Sequence, residues 1–289
     1  MPVELIVNVA LGGLLTGLVY GLMALGLSVI FGVVRIVNFA HGEMMTIAMY
    51  ATVVLFAAFR LDPFLALVPV AAAFFVFGYA LQAGLINPFI TRPEHSQFML
   101  VIAVAIIMVN ALLMIFGPDA RNVQVEYALD SFSLGPLLLD TVRLYAALAA
   151  IAIAVGLFLF FRFTGTGRAI RACADNNLGA RVVGLNVRKY YALTFGLGSA
   201  CVGAAGCLMV LLVDVTPLLG PGYTLLAFII VIVGGMGSMA GALLGGVLIG
   251  ISEALAGLFF SPSAKSMFSF ALLILVLLFR PQGLVGRRN

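Results

Sequence analysis

Tryptophan is absent from this 289-residue sequence, histidine occurs twice, cysteine three times, and charged residues make up only 9%. Each scarcity removes a class of function. The two histidines, His41 and His95, stand far apart, so no metal-site spacing appears. Cys173, Cys201 and Cys207 suggest no disulfide framework; the last two, six apart on one apolar stretch, fall on different helix faces and read as packing residues. None of the glycine clusters precedes a Lys-Ser or Lys-Thr pair, so the chain has no phosphate-binding loop and does not itself hydrolyse a nucleotide. Nor do Ser, His, Asp and Cys gather in a catalytic arrangement.

What the chain has in excess is hydrocarbon. Hydrophobic residues make up 64% and the mean hydropathy is +1.22, far from soluble composition. Several apolar runs approach or exceed the ~18–20 residues that cross a bilayer. They are continuous rather than alternating, which argues against a transmembrane barrel. The expectation is an all-α polytopic membrane protein whose surface lies in the lipid bilayer. The formal charge of +4 then reads as membrane topology, not nucleic-acid binding. The stretch MPVELIVNVALGG lacks a basic n-region and a clean cleavage site, so the first helix is expected to be retained.

Residues 162–189 form the one long internal segment that is not membrane-buried. It holds Arg162, Arg168, Arg171, Arg181, Arg188 and Lys189 against a single acid, Asp175. Positive charge collects in cytoplasmic loops, which places this one in the cytoplasm and fixes the rest. A glycine-rich apolar segment, 5–33, runs inward and ends in the polar patch 35–43. A short second helix, 44–59, follows, then 64–86, 98–116, an outer loop at 117–142, a return at 143–161, and 190–213. The pieces VQVEYAL and FSLGPLLL of the outer loop read as a small hairpin. The region 223–260 must reach inward and return, either as a helix pair or as two half-helices joined at the break 234–241; 266–279 closes the bundle. The count is eight to ten membrane helices with broken or re-entrant segments, the N-terminus outside, in a single transmembrane domain. Two interrupted glycine-rich regions, one in each half, point to an internal repeat. Non-helical backbone at depth is tolerated only inside protein or beside a cavity, so Gly235 and Gly237 belong near a pathway.

RAIRACADNNLGARVVGLNVRKY (168–190) strongly resembles the subunit-docking loop of ABC importer permeases of the branched-chain amino acid type, the LivH/LivM family. Two further matches lie in the expected order. Asn38-Phe39-Ala40-His41-Gly42-Glu43 is similar to the N-F-A-H-G-E signature. Arg280-Pro281-Gln282-Gly283-Leu284-Val285-Gly286 resembles the R-P-x-G-L-F-G ending, with Val285 in place of Phe. The resemblance spans the whole chain. It implies the ABC importer permease fold, in which a short helix of the loop inserts into a groove of an ATPase subunit. Ala172, Gly179 and Gly184 would allow close approach, with Arg168, Arg171, Asp175, Asn176 and Arg181 at the contact; the family usually carries Glu where this chain has Asp175.

The resemblance also implies partners. These are two ABC ATPase subunits, a second and commonly paralogous permease, and an extracytoplasmic solute-binding protein, with ATP and Mg used by the partners and no cofactor on this chain. The substrate class is branched-chain or other hydrophobic amino acids, with urea, short amides and aromatic acids carried by relatives. An ATP-independent secondary transporter is the contrasting class, but it has no need of a docking loop. Asn38, His41 and Glu43, costly at depth unless paired or wetted, are candidates for a gate. They equally suit a turn in which Asn38 caps a helix and His41 pairs with Glu43. Glu253, embedded in an apolar run, is a pathway candidate or the centre of a structural hydrogen bond.

Overall fold

The computed structural model of the chain describes residues 3–134, 137–261 and 264–286. Its helices are α1 (Val3–Val34), α2 (His41–Phe59), α3 (Pro63–Ala80), α4 (Glu94–Phe116), α5 (Thr141–Phe163), α6 (Gly165–Asp175), α7 (Asn177–Val182), α8 (Val187–Met209), α9 (Leu219–Gly234), α10 (Met239–Phe259) and α11 (Lys265–Phe279). A π-helical turn, Leu81–Ile86, and a 3-10 turn, Asn87–Phe89, prolong α3. Among the described residues, seven helices are long and apolar enough to cross a bilayer; α9 and α11 are apolar but shorter. The outer loop does contain a hairpin, but within residues 131–140. Strands β1 (Ser131–Leu134) and β2 (Leu137–Asp140) pair antiparallel. The expected first arm is instead a 3-10 turn at Glu126–Leu129. That turn brings the Tyr127 hydroxyl to Asp62 Oδ2, to which it donates at 2.7 Å. Burial, then the Asp62 contact, pushes the Tyr127 phenol above its ordinary range. Asp62 also accepts the Phe64 N–H and so caps α3, whose first residue is Pro63.

Two helices begin inside the bundle rather than at its face. His41, the first residue of α2, hydrogen-bonds the Met23 carbonyl at 2.9 Å. Met23 lies eleven residues before the end of α1 at Val34, roughly 16 Å along a helix axis. Residues 35–40 therefore run back along α1 to reach mid-depth, and Ile36, Asn38 and Ala40 are buried as they do so. The turn into this stretch puts Arg35 at φ 58, a conformation unusual outside glycine, asparagine and aspartate. Residues 210–218 play the same part before α9. There Val215 exchanges both backbone hydrogen bonds with Arg121 of the outer loop, at 2.9 and 2.8 Å. This pairing gives the irregular stretch backbone partners where a helix would otherwise supply them.

The two most extensive helix pairings are α1 with α10 and α3 with α8. The first is a glycine seam. A Cβ placed on Gly246 would stand 2.5 Å from the Gly21 Cα, and one on Gly17 would stand 2.6 Å from the Gly246 carbonyl. Close backbone approach replaces the hydrophobic drive that lipid does not supply. Gly246→Val should cost about 1–3 kcal/mol through overpacking, read as a lower melting temperature of the purified protein in detergent. Gly156→Ala, in α5 where nothing lies within 4 Å, should leave that temperature unchanged or slightly raised.

Candidate functional site

The basic segment folds as two short helices. The Thr164 hydroxyl donates to the Phe160 carbonyl at 2.7 Å and accepts the Gly167 N–H at 2.9 Å, capping α6. Gly167, Ile170 and Cys173 recur every three residues and are the buried face of α6. Gly167 presses so close to α5 that a Cβ would meet the Phe160 carbonyl at 2.5 Å. Burial pushes the Cys173 thiol up. Arg168, Arg171, Ala172 and Asp175 face outward. Asn176 ends α6 and caps α7 by accepting the Gly179 N–H at 2.8 Å. Gly184, at φ 83, closes α7. Its N–H bonds the Arg181 carbonyl while the Leu185 N–H reaches back to Ala180, both at 3.0 Å. That paired termination needs a residue with a left-handed backbone.

The expected coupling residues thus divide. Arg168, Arg171, Ala172, Asp175 and Arg181 offer exposed surface, whereas Asn176, Gly179 and Gly184 shape the backbone. Three residues that the sequence reading passed over complete the surface. Leu178, Val182 and Val183 are 74%, 81% and 73% exposed. Their spacing of four and five, in the middle of a polar basic run, was the available signal.

A second cluster lies where α2 and α9 begin. The Thr224 hydroxyl of α9 accepts the Gly42 N–H at 2.8 Å and lies 2.8 Å from Glu43 Oε2. Gly42 packs against the Gly220 carbonyl and the Thr224 backbone so tightly that no side chain fits there. His41 and Glu43 do not pair with each other: His41 bonds the Met23 carbonyl of α1, and its Nδ1 is buried without a partner. Asn38 does not cap α2 directly; its Oδ1 accepts the Ala40 N–H at 3.1 Å and shapes the turn two residues before it. Asn38, His41 and Glu43 are all buried. The cluster joins α1, α2 and α9 at mid-depth. Thr224, its centre, carried no signal in the sequence.

Gly235 and Gly237, at φ 106 and 82, form the turn between α9 and α10. The chain's ending is threaded onto that turn. The Leu284 N–H bonds the Val233 carbonyl at 2.9 Å, and the Val285 N–H bonds Gly234 at 3.0 Å. A cavity of about 850 Å³ lies beside it, lined among others by Ser28, Arg35, Arg171, Asp175, Gly237 and Val285. It therefore brings the basic helix α6 and the glycine turn to one place. Glu253 stands apart from both, further along α10, and accepts from the Ser269 hydroxyl of α11 at 2.8 Å. Among the described residues, no three His, Cys, Asp or Glu side chains are grouped to hold a metal ion.

A multi-pass helical bundle with helices broken at depth and an amphipathic helix pair on one face has the architecture of a polytopic membrane protein, and comparison with known proteins gives its class. The family model described as "Branched-chain amino acid transport system / permease component" matches residues 9–277, and the chain belongs to that family. It is 31% identical over 95% of its length to the high-affinity branched-chain amino acid transport system permease protein BraD of Pseudomonas aeruginosa, 94% of which is covered. Against the LivH permease of Escherichia coli K12 the identity is 30%, again over 95% of this chain and 94% of that one. Among solved structures, PsaBC from Streptococcus pneumoniae in complex with Fab aligns with a TM-score of 0.48 and 15% identity over 94% of this chain and 91% of that one. The chain is a multi-pass inner-membrane permease subunit of an ABC importer, with ATP hydrolysis belonging to a separate subunit.

Thr224→Val keeps the shape but strands the Gly42 N–H and one Glu43 contact. The expected loss is about 1–3 kcal/mol, read by thermal unfolding in detergent, with Thr224→Ser restoring the wild-type value. At pH 7.5 the buried Cys173 thiol should resist a polar maleimide, because the thiolate is the reactive form. Gly167→Leu, which levers α6 off α5, should raise its labelling rate at least tenfold by peptide mapping.

Proposed function

We propose that this chain lines, with a second, paralogous permease subunit, the route by which branched-chain or other hydrophobic amino acids enter the cell. The relatives' names supply the substrate class. In this reading the segment 162–189 faces the cytoplasm and docks one of two ATPase subunits, which use ATP and Mg, and an extracytoplasmic binding protein delivers the substrate at the opposite face. The observation that carries the docking is the exposed face of α6 and α7. Leu178, Val182 and Val183 stand bare beside Arg168, Arg171 and Arg181. Burying one such aliphatic side chain fully is worth about 1.5–3 kcal/mol, and the arginines supply orientation around it. ATP-driven closure of the partners would move α6, and α6 shares a cavity wall with the Gly235–Gly237 turn.

Leu178→Asp combined with Val182→Asp should weaken retention of the ATPase subunits tenfold or more, a change of about 1.4 kcal/mol. Arg168→Glu with Asp175→Lys should act in the same direction. The measurement is co-purification from bacterial membranes in mild detergent, with the melting temperature of each variant as the folding control. Undiminished retention in both well-folded variants would remove α6 and α7 from the docking surface.

A further inference from the structure

Glu253 sits on the wall of a second cavity, of about 200 Å³, between α9, α10 and α11. Apart from Glu253 and the hydroxyls of Ser266, Ser269 and Tyr223, the walls are hydrocarbon and aromatic, with Leu226, Ile229 and Phe270 among them. The carboxylate accepts hydrogen bonds from the Ser269 hydroxyl at 2.8 Å and from the Tyr20 phenol, and the same Ser269 hydroxyl lies 3.3 Å from the Lys265 carbonyl. Tyr20 of α1 and Tyr223 of α9 flank it. Lys265 acts on it from a distance. Among the described residues, however, Asp140 with Arg143 is the one ion pair, so Glu253 has no cation in contact.

A carboxylate in an apolar wall is expensive unless a positive group meets it, and hydroxyls bring no charge. What this cavity lacks is a cation, and what it offers besides is hydrocarbon. One carboxylate with a few hydroxyls is too small a set to hold calcium or magnesium without water, and an anion would be repelled. The volume falls below the roughly 300–1,000 Å³ of drug-sized sites. We infer that this cavity is a substrate subsite in which Glu253 receives the primary ammonium of a small amino acid while Leu226, Ile229 and Phe270 take its aliphatic side chain. The inference rests on the amino-acid reading above and adds the group that is recognised. Occupancy has a direct line to the mid-depth cluster, because Tyr223 on the cavity wall precedes Thr224, the residue bonded to Gly42 and Glu43.

The test uses the permease complex with its ATPase and second permease in nanodiscs. Dicyclohexylcarbodiimide, which modifies carboxyl groups in apolar surroundings, is added and the label on Glu253 is quantified by peptide mapping, with Glu253→Gln as the blank. Leucine and 3-methylbutylamine, which carry the ammonium, should slow labelling at least fivefold. 4-Methylpentanoate, which has the same hydrocarbon and no ammonium, should not. In proteoliposomes supplied with loaded binding protein, Glu253→Gln should reduce leucine moved per ATP hydrolysed at least fivefold while hydrolysis itself persists. A purely structural Glu253 would lower both together or neither. Equal protection by 4-methylpentanoate, no protection by either amine, or an unchanged leucine-to-ATP ratio would overturn the subsite. Failure of the wild-type complex to move leucine at all would instead strike the substrate reading, while amine protection would still uphold the ammonium site.

Discussion

The hydroxyl of Thr224, 2.8 Å from both the Gly42 N–H and the Glu43 carboxylate, closes the place where two helices start in the middle of the bundle. Helix starts leave N–H groups without intrahelical partners, and hydrocarbon offers nothing to satisfy them. The chain meets this constraint by bringing the two starts together. Gly42 on α2 and Gly220 on α9 are both bare of side chain, so backbone meets backbone and the Thr224 hydroxyl of α9 satisfies an N–H at the start of α2.

A long helix, an irregular stretch, a helix starting at depth and a further helix occur in order as α1, 35–40, α2 and α3, and again as α8, 210–218, α9 and α10. Exchanging the two sets maps the contact of α1 with α10 onto that of α8 with α3, and these are the two most extensive pairings. It maps α2 with α9 onto itself, and α1 with α8 onto itself. An internal repeat buried in this way explains why small residues recur at both seams. Gly17, Gly21 and Gly246 serve α1 with α10, and Gly78, against Ser199, serves α3 with α8. The repeat is kept in the order and pairing of the helices rather than in residue identity, so no self-match was visible in the sequence.

The apolar helices and the break at Gly234–Gly241 were legible because hydropathy and glycine report directly on membrane depth. The Asn38–Glu43 patch was legible as a unit but not in its contacts. Its partner Thr224 lies 181 positions away from Glu43, and no local pattern foretells that. The start of α2 was placed at 44 rather than His41 because a buried histidine bonded to a helix carbonyl looks, in sequence, like part of a polar loop. Local propensity also mistook 123–129 for a strand, where Tyr127 is turned toward Asp62 by a tertiary hydrogen bond. In the basic loop the charged residues were evident, while Leu178, Val182 and Val183 were hidden by the expectation that loops are polar. Asn176 and Gly184, expected at the contact, are exposed and also serve as a helix cap and a helix terminator, roles that spacing alone did not reveal.

A short rigid helix connects the three regions that bear on transport. The basic-face end of α9 is Gly234, held in the glycine turn, which is clamped by the backbone of Leu284 and Val285. That turn shares a cavity with Arg171 and Asp175 of α6. Its other end carries Tyr223 on the wall of the Glu253 cavity and Thr224 at the mid-depth cluster. Sixteen residues at about 1.5 Å each span roughly 24 Å, less than the ~30 Å of a bilayer core. A helix of that length anchored at both ends by backbone contacts shifts as one piece rather than bending. In the proposed reading, displacement of α6 against the turn would reach Thr224 and Tyr223 together. The shortness of α9 places one end at the basic face and the other beside the buried Glu43 and the part-buried Glu253.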